Sequence, residues 1–130
     1  MAQHSVELIL LRQLSTSLAV PVFIVDAKGD LIHLNEAAER LLGIRLDDLD
    51  AMPFETWTTA FAPRTPEGEA VSTDELPLVK AVIRRRPAHG PLRIRGADGA
   101  ERTIEITAFP LEGSHGRLIG AVAMFWEAGE

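Results

Sequence analysis

Four histidines, His4, His33, His89 and His115, are the side chains of this chain best suited to acid–base or metal chemistry near neutral pH. Their spacing does not bring them together. No two stand four apart on a helical face, and none shares a cluster with carboxylates at metal-ligand spacing, so neither a metal site nor a catalytic pair is predicted. His33 stands two residues before Asn35 in a short strand, where alternation places it opposite Ile32 and Leu34; it reads as a half-exposed or hydrogen-bonded histidine rather than a ligand. Asp26 and Glu36 fall in the same stretch, and backbone bonding at a turn and at a helix start accounts for both. The chain has no cysteine, which removes disulfides, thiolate metal sites and cysteinyl adducts. It has no phosphate-cradling glycine loop and no nucleophile elbow. The basic run at Arg84, Arg85 and Arg86 reads as a solvated helix end, where the helix dipole favours cations. No catalytic, cofactor-binding or metal-binding residue is predicted.

The elements that would position any site are more legible. Residues 22–25 are an apolar, β-branched run that suits a strand buried on both faces. Asp26 and Gly29 then supply an Asx-type acceptor and a residue able to take positive φ, the ingredients of a tight turn before a second strand at residues 31–34. Asn35 is a helix N-cap, Glu36 sits in the first turn, Ala38, Leu41 and Leu42 share one face, and Gly43 is a left-handed stop. Beyond it, residues 45–57 predict short helical turns carrying Leu46, Leu49, Met52, Phe54 and Trp57, and residues 58–71 an exposed loop.

Ser72 and Glu75 stand at capping-box spacing and predict a helix over residues 74–86, with Leu76, Val79, Val82 and Ile83 on its apolar face and Pro87 as its stop. Three strands follow. Leu92 and Ile94 alternate with Arg93 and Arg95; Asp98 and Gly99 mark a hairpin; Ile104, Ile106 and Ala108 point inward, with Glu105 outward to pair with Arg93 or Arg95. After a turn over residues 112–116, residues 118–126 are apolar at nearly every position, as in a central strand covered on both faces. The order predicts an α+β fold, a five-stranded antiparallel sheet with helices on one face.

The N-terminal helix, residues 5–18 with Ser5 as its N-cap, would cover the other face of that sheet. At 100° per residue Val6, Leu10, Leu11, Leu14 and Leu18 form one stripe, with Leu8 and Ile9 outside it. A helix apolar beyond one face needs a second surface, and a partner subunit supplies it; Val6, Leu8, Ile9, Leu10 and Leu14 are therefore candidates for a dimer interface. With 130 residues there is room for one core, 46 % apolar and 25 % charged residues are an ordinary globular balance, and a net charge of −6 disfavours nucleic-acid and anionic-membrane partners. The run Leu8 to Leu11 is too short for a membrane span or signal core, so a cytoplasmic location is expected.

Asp26, Gly29, Ile32, Asn35, Ala38, Leu42 and Gly43 together resemble the opening signature of PAS domains, seven positions in register over some twenty residues. The resemblance continues through residues 67–87, the Asp98–Gly99 hairpin and residues 116–127. It implies a PAS domain over residues 19–127, a flanking helix over residues 1–18 that dimerises or caps it, and a tail over residues 128–130. It also implies a sensory or signalling module of a bacterial signal-transduction system, without enzymatic activity, acting through an effector domain or partner signalling protein. Photosensory members that hold flavin or a coumaroyl group covalently use a cysteine, which this chain lacks; haem-binding members often carry a histidine on the long helix, whereas His89 lies beyond it. No cofactor is therefore expected, and a haem on His89 or a non-covalent flavin is the weaker alternative. Members that relay a signal often end in an Asp-Ile-Thr-like motif; Glu127, Ala128, Gly129 and Glu130 stand in its place.

The remaining chemistry is an apolar cavity between sheet and helices, with Ile24, Leu42, Trp57, Val79, Ile83, Ile94, Ile104 and Ile106 as candidate lining. A small apolar or amphipathic ligand such as a fatty acid would suit it. Two rivals stand beside this reading: a ligand-free protein–protein interaction module with a filled core, and a small cavity-bearing α+β enzyme, which would need a polar residue among the inward strand positions.

Overall fold

The computed structural model describes residues 6–45 and 52–128. Helices α1 (Val6–Thr16), α2 (Glu36–Leu42), α3 (Phe54–Ala60) and α4 (Pro77–Arg84) accompany strands β1 (Val22–Asp26), β2 (Leu31–Leu34), β3 (Ala88–Arg95), β4 (Glu101–Glu112) and β5 (Leu118–Glu127). The strands form one antiparallel sheet in the order β2-β1-β5-β4-β3. This is the α+β architecture predicted, with β5 at its centre. His4, Ser5, Leu46, Leu49 and the last two residues of the chain lie outside the described residues.

The sheet divides the core in two. Phe23, Val25, Leu31 and Leu34 from β1 and β2, Ile104, Ile106 and Ala108 from β4, and Ala121, Ala123 and Phe125 from β5 pack against α2, α3 and α4. Val22, Ile24, Ile119 and Val122 face the other way, toward Leu8 of α1. Both β1 and β5 are therefore apolar on both faces, as their unbroken runs require.

Local signals hold at the first joint. The Asn35 side chain accepts from the Ala38 amide at 3.0 Å, capping α2, and Gly43 ends that helix at φ 72° with its N–H on the Glu39 carbonyl. Asp26 Oδ1 accepts from the amides of Lys28 and Asp30, each at 3.0 Å, closing the β1–β2 turn.

Four expectations need correction. The capping box does not form: Ser72 Oγ donates to Asp74, a 3-10 turn occupies Thr73–Glu75, and α4 begins at Pro77, where a missing N–H costs nothing. The helix stops at Arg84 because Arg85 turns left-handed at φ 55°, two residues before Pro87. Arg95 pairs across the hairpin with Glu101 at 2.7 Å rather than with Glu105, because the register sets Arg95 opposite Glu101 and Pro91 opposite Glu105. Residues 58–60 belong to α3, and the loop after them is tied to the β3 edge by reciprocal bonds between the Arg64 and Arg93 backbones.

A fifth correction concerns the setting of α1. Leu8 is only 3 % exposed and packs on the sheet with the partly buried Leu11 and Leu18, while Val6, Leu10 and Leu14 are 67 %, 58 % and 58 % exposed and Ile9 45 %. The helix is thus turned away from the stripe that hydrophobic counting selects. Its buried seam is Leu8, Leu11, Ser15 and Leu18, with Ser15 at the closest approach and its hydroxyl donating to the Arg12 carbonyl at 2.9 Å. A polar residue in the seam hid the seam from periodicity.

Candidate ligand cavity

A cavity of about 80 Å³ lies between the sheet and the helices, with a wall that exposes no polar atom. Inward positions of adjacent strands form its floor: Phe23 from β1, Phe125 and Ala123 from β5, Ile104 and Ile106 from β4, Leu92 and Ile94 from β3. Register sets Ile106 opposite Phe125 and Ala108 opposite Ala123, so large side chains meet at one level of the sheet and small ones at the next. Leu42, Trp57, Phe61, Leu76 and Leu78 close the helical side, and Pro63 of the following loop stands at its edge.

Trp57 is the wall with the most constraints. Its indole Nε1–H donates to the Gly29 carbonyl at 2.7 Å, and its ring meets Phe23 and Phe54 edge-on, with centroids 5.0 Å and 5.7 Å away. Beyond it lies a second hollow of about 160 Å³, lined by Val25, Lys28, Phe54, Val79, Val82 and Ile83. Trp57 and Leu78 border both, so these two side chains divide one apolar space into an inner and an outer chamber.

Of the eight predicted lining residues, the inner cavity brings together Leu42, Trp57, Ile94, Ile104 and Ile106. Val79 borders the outer chamber. Ile83 does so too, but at 65 % exposure it is a rim residue, because a helix that starts at Pro77 and ends at Arg84 leaves it in the last turn. Ile24 is fully buried on the opposite face, with Leu8 and Val122, because alternation in β1 turns Phe23 and Val25 to the cavity instead. Phe23, Ala123 and Phe125 escaped the sequence reading since doubly covered strands show no alternation. The pairing of β5 with the clearly alternating β4, and of β1 with β5 in turn, was the signal that could have assigned them.

The histidines stay apart. His89 is exposed on β3, its Nδ1 3.3 Å from Thr107 Oγ1, and His115 is exposed in the β4–β5 turn. His33 faces α1 beside Ile9, Arg12, Gln13 and Thr16, and its Nε2 is buried with no hydrogen-bond partner. It pairs with Ile24 on the outer face, and a register shift between Ile24 and Val25 leaves Ile32 packed on that face too, so strict alternation fails here. Burial, and then the Arg12 charge, lower its pKa. Among the described residues no group of three or more His, Asp or Glu side chains is placed to hold a metal ion. No helix among them is long and apolar enough to cross a membrane.

Comparison with known proteins agrees with this geometry. The family model described as the PAS fold matches residues 15–130. Among curated proteins none matches the chain. Among solved structures, a PAS domain from Colwellia psychrerythraea superposes with a TM-score of 0.66 at 18 % identity, covering 94 % of this chain and 97 % of that one. The PAS domain of Bordetella pertussis BvgS gives 0.62 at 18 % identity, covering 95 % and 87 %. The Rhodobacter sphaeroides LOV protein gives 0.73 at 15 % identity, covering 97 % of this chain and 70 % of that one.

Proposed function

The chain belongs to the PAS family of sensory signalling modules, and on that premise we propose that it is a non-enzymatic, homodimeric bacterial sensor domain whose ligand is small and apolar. The observation that carries this reading is the inner cavity, whose wall exposes no polar atom and is bordered by Trp57, Leu78 and the inward strand residues. No inward position of β3 or β4 on that wall is polar, which supports the sensory reading over an enzymatic one.

Size sets the ligand class. A dry apolar cavity of about 150 Å³ is what benzene occupies, and the inner cavity is about 80 Å³. A fatty-acid tail or a flavin would enter only if Trp57 and Leu78 moved to join the two chambers. The same smallness supports the second reading, a ligand-free interaction module. Native mass spectrometry of freshly purified protein, with an absorbance spectrum, separates them: a retained apolar molecule favours the sensor, and an unliganded chain whose melting point ignores benzene-sized probes sinks it.

Homodimerisation through α1 rests on the exposed Val6, Ile9, Leu10 and Leu14 of that helix. Residues 1–18 would then be the dimerising segment, residues 19–127 the sensor and residues 128–130 a tail. A change in the sheet on ligand binding would shift the population of α1 arrangements seen by a cytoplasmic effector domain or partner signalling protein.

A further inference from the structure

We infer that the cleft between α1 and β2, on the face of the sheet away from the apolar cavity, is a binding site for a small oxyanion held between Arg12 and His33. The cleft has a volume of about 230 Å³ and is lined by Ile9, Arg12, Gln13 and Thr16 from α1 and His33 from β2. Unlike the other two hollows, it is lined mainly by residues with polar groups, Arg12, Gln13, Thr16 and His33, with Ile9 beside them. His33 Nε2 is shut off from solvent and has no partner, a rare condition for a buried ring nitrogen; a ligand in the cleft relieves it once the imidazole turns to present that nitrogen. Arg12, whose side chain has no ion pair or hydrogen bond among the described residues, is the charged group facing His33, and no acidic residue lines the cleft from either element.

The donor set selects the ligand's charge. A guanidinium offers only donors, and the imidazole beside it offers a second once protonated, so a metal cation would be repelled while a carboxylate or phosphate oxygen accepts from both. The Gln13 amide adds a neutral donor at the same mouth. Thr16 contributes no proton, since its hydroxyl already donates to the Gln13 carbonyl at 2.7 Å. Without an anion, burial and then the Arg12 charge lower the imidazole's pKa. With one bound, the sign reverses, and His33 takes up a proton as the oxyanion enters. The bound anion would tie α1 to the edge strand through Arg12.

The test uses the whole chain and the imidazole NMR signals of its histidines. Inorganic phosphate and, separately, propionate are titrated into protein kept in anion-poor buffer. Saturable movement of the His33 signals with either probe, accompanied by a rise in its pKa, is expected; which probe saturates first tells a phosphorylated ligand from a carboxylate. Arg12→Gln should weaken that binding about tenfold, the worth of one charge-assisted bond, and, because Arg12 is exposed, should melt like wild type in the same buffer. His33→Gln, which keeps a neutral donor, should retain weak binding that no longer depends on pH. No saturable movement with either probe, equal movement of exposed His89 and His115, or undiminished binding by Arg12→Gln would each overturn the assignment. The readout is independent of the apolar cavity, so an unliganded core leaves it intact.

Discussion

The side-chain amide of Asn35 donates to the Ser15 carbonyl at 2.9 Å, so the residue that caps α2 also holds the last turn of α1. The same nitrogen reaches the Val20 carbonyl at 2.8 Å, and Asn35 Oδ1 accepts from Val22 at 2.9 Å as well as from Ala38. A residue 2 % exposed thus ties together α1, the segment entering β1 and the start of α2.

Asn35→Ala removes the cap and strands the buried Ser15 carbonyl and Val22 amide, together with the part-buried Val20 carbonyl. A cap is worth about 1 kcal/mol and each buried orphan costs about 1–3 kcal/mol, so a loss of about 3–5 kcal/mol is expected. Urea unfolding measures it; a loss near that of a cap alone would mean the linker bonds contribute nothing. Asn35→Asp keeps both acceptor bonds but turns a carboxylate oxygen toward carbonyls. Its folded-state pKa would lie above the unfolded one, so this variant should regain stability as pH falls through that range.

The setting of α1 separates two substitutions that hydrophobicity alone treats alike. Leu8→Asp buries a charge against Val22, Ile24 and Val122 and should unfold the chain or cost several kcal/mol. Leu10→Asp with Leu14→Asp changes side chains already in solvent, so the melting point should stay near wild type while a dimer falls to monomers. Thermal melts alongside light scattering decide both, and a scattering mass unchanged by the Leu10 and Leu14 pair would remove α1 from the interface.

His33 gives stability a pH dependence of definite sign. Burial first, and Arg12 second, push its folded pKa below the ordinary value. The unfolded chain therefore binds a proton more readily as pH falls past about 6.5, the usual histidine value, and stability drops from there until the folded pKa is passed. Above that window the group contributes no slope. The difference between wild-type and His33→Gln melting curves across pH 4 to 8, taken in anion-poor buffer as roughly the range where histidine titrates, should show this drop; a flat difference, or one rising toward acid, contradicts the burial of the ring beside Arg12.

How far the sequence could be read depends on how many faces of an element are covered. In β4 one face meets the core, so alternation of Ile104, Ile106 and Ala108 with Glu105 and Thr107 declares the register, and the cavity floor there was predictable. In β1 and β5 both faces are buried, and nothing in a run such as residues 22–25 tells Phe23 from Ile24. The rotation of α1 was illegible for a different reason: leucines surround the helix, and a hydrogen bond from Asn35, twenty residues away, holds the Ser15 turn to the sheet. Turn and cap residues read truest, because Asp26, Asn35 and Gly43 act on their own backbone neighbours. The capping box at Ser72 failed by the same measure, since Pro77 already supplies a helix start that needs no N–H.

The cavity can be enlarged to test whether it binds by shape. Ile106 is buried on β4 opposite Phe125, and Ile106→Ala removes three carbons from the inner wall, at a cost of about 2–5 kcal/mol. The space grows from about 80 Å³ toward the size of about 150 Å³ that takes benzene. Benzene should then raise the melting point of the variant more than that of wild type, since a ligand that binds only the folded chain stabilises it by mass action. Equal rises would mean that Trp57 and Leu78 already yield in the native protein, joining inner and outer chambers. No rise in the variant would mean the walls collapse into the vacated volume, and the cavity would then be a packing gap rather than a binding site.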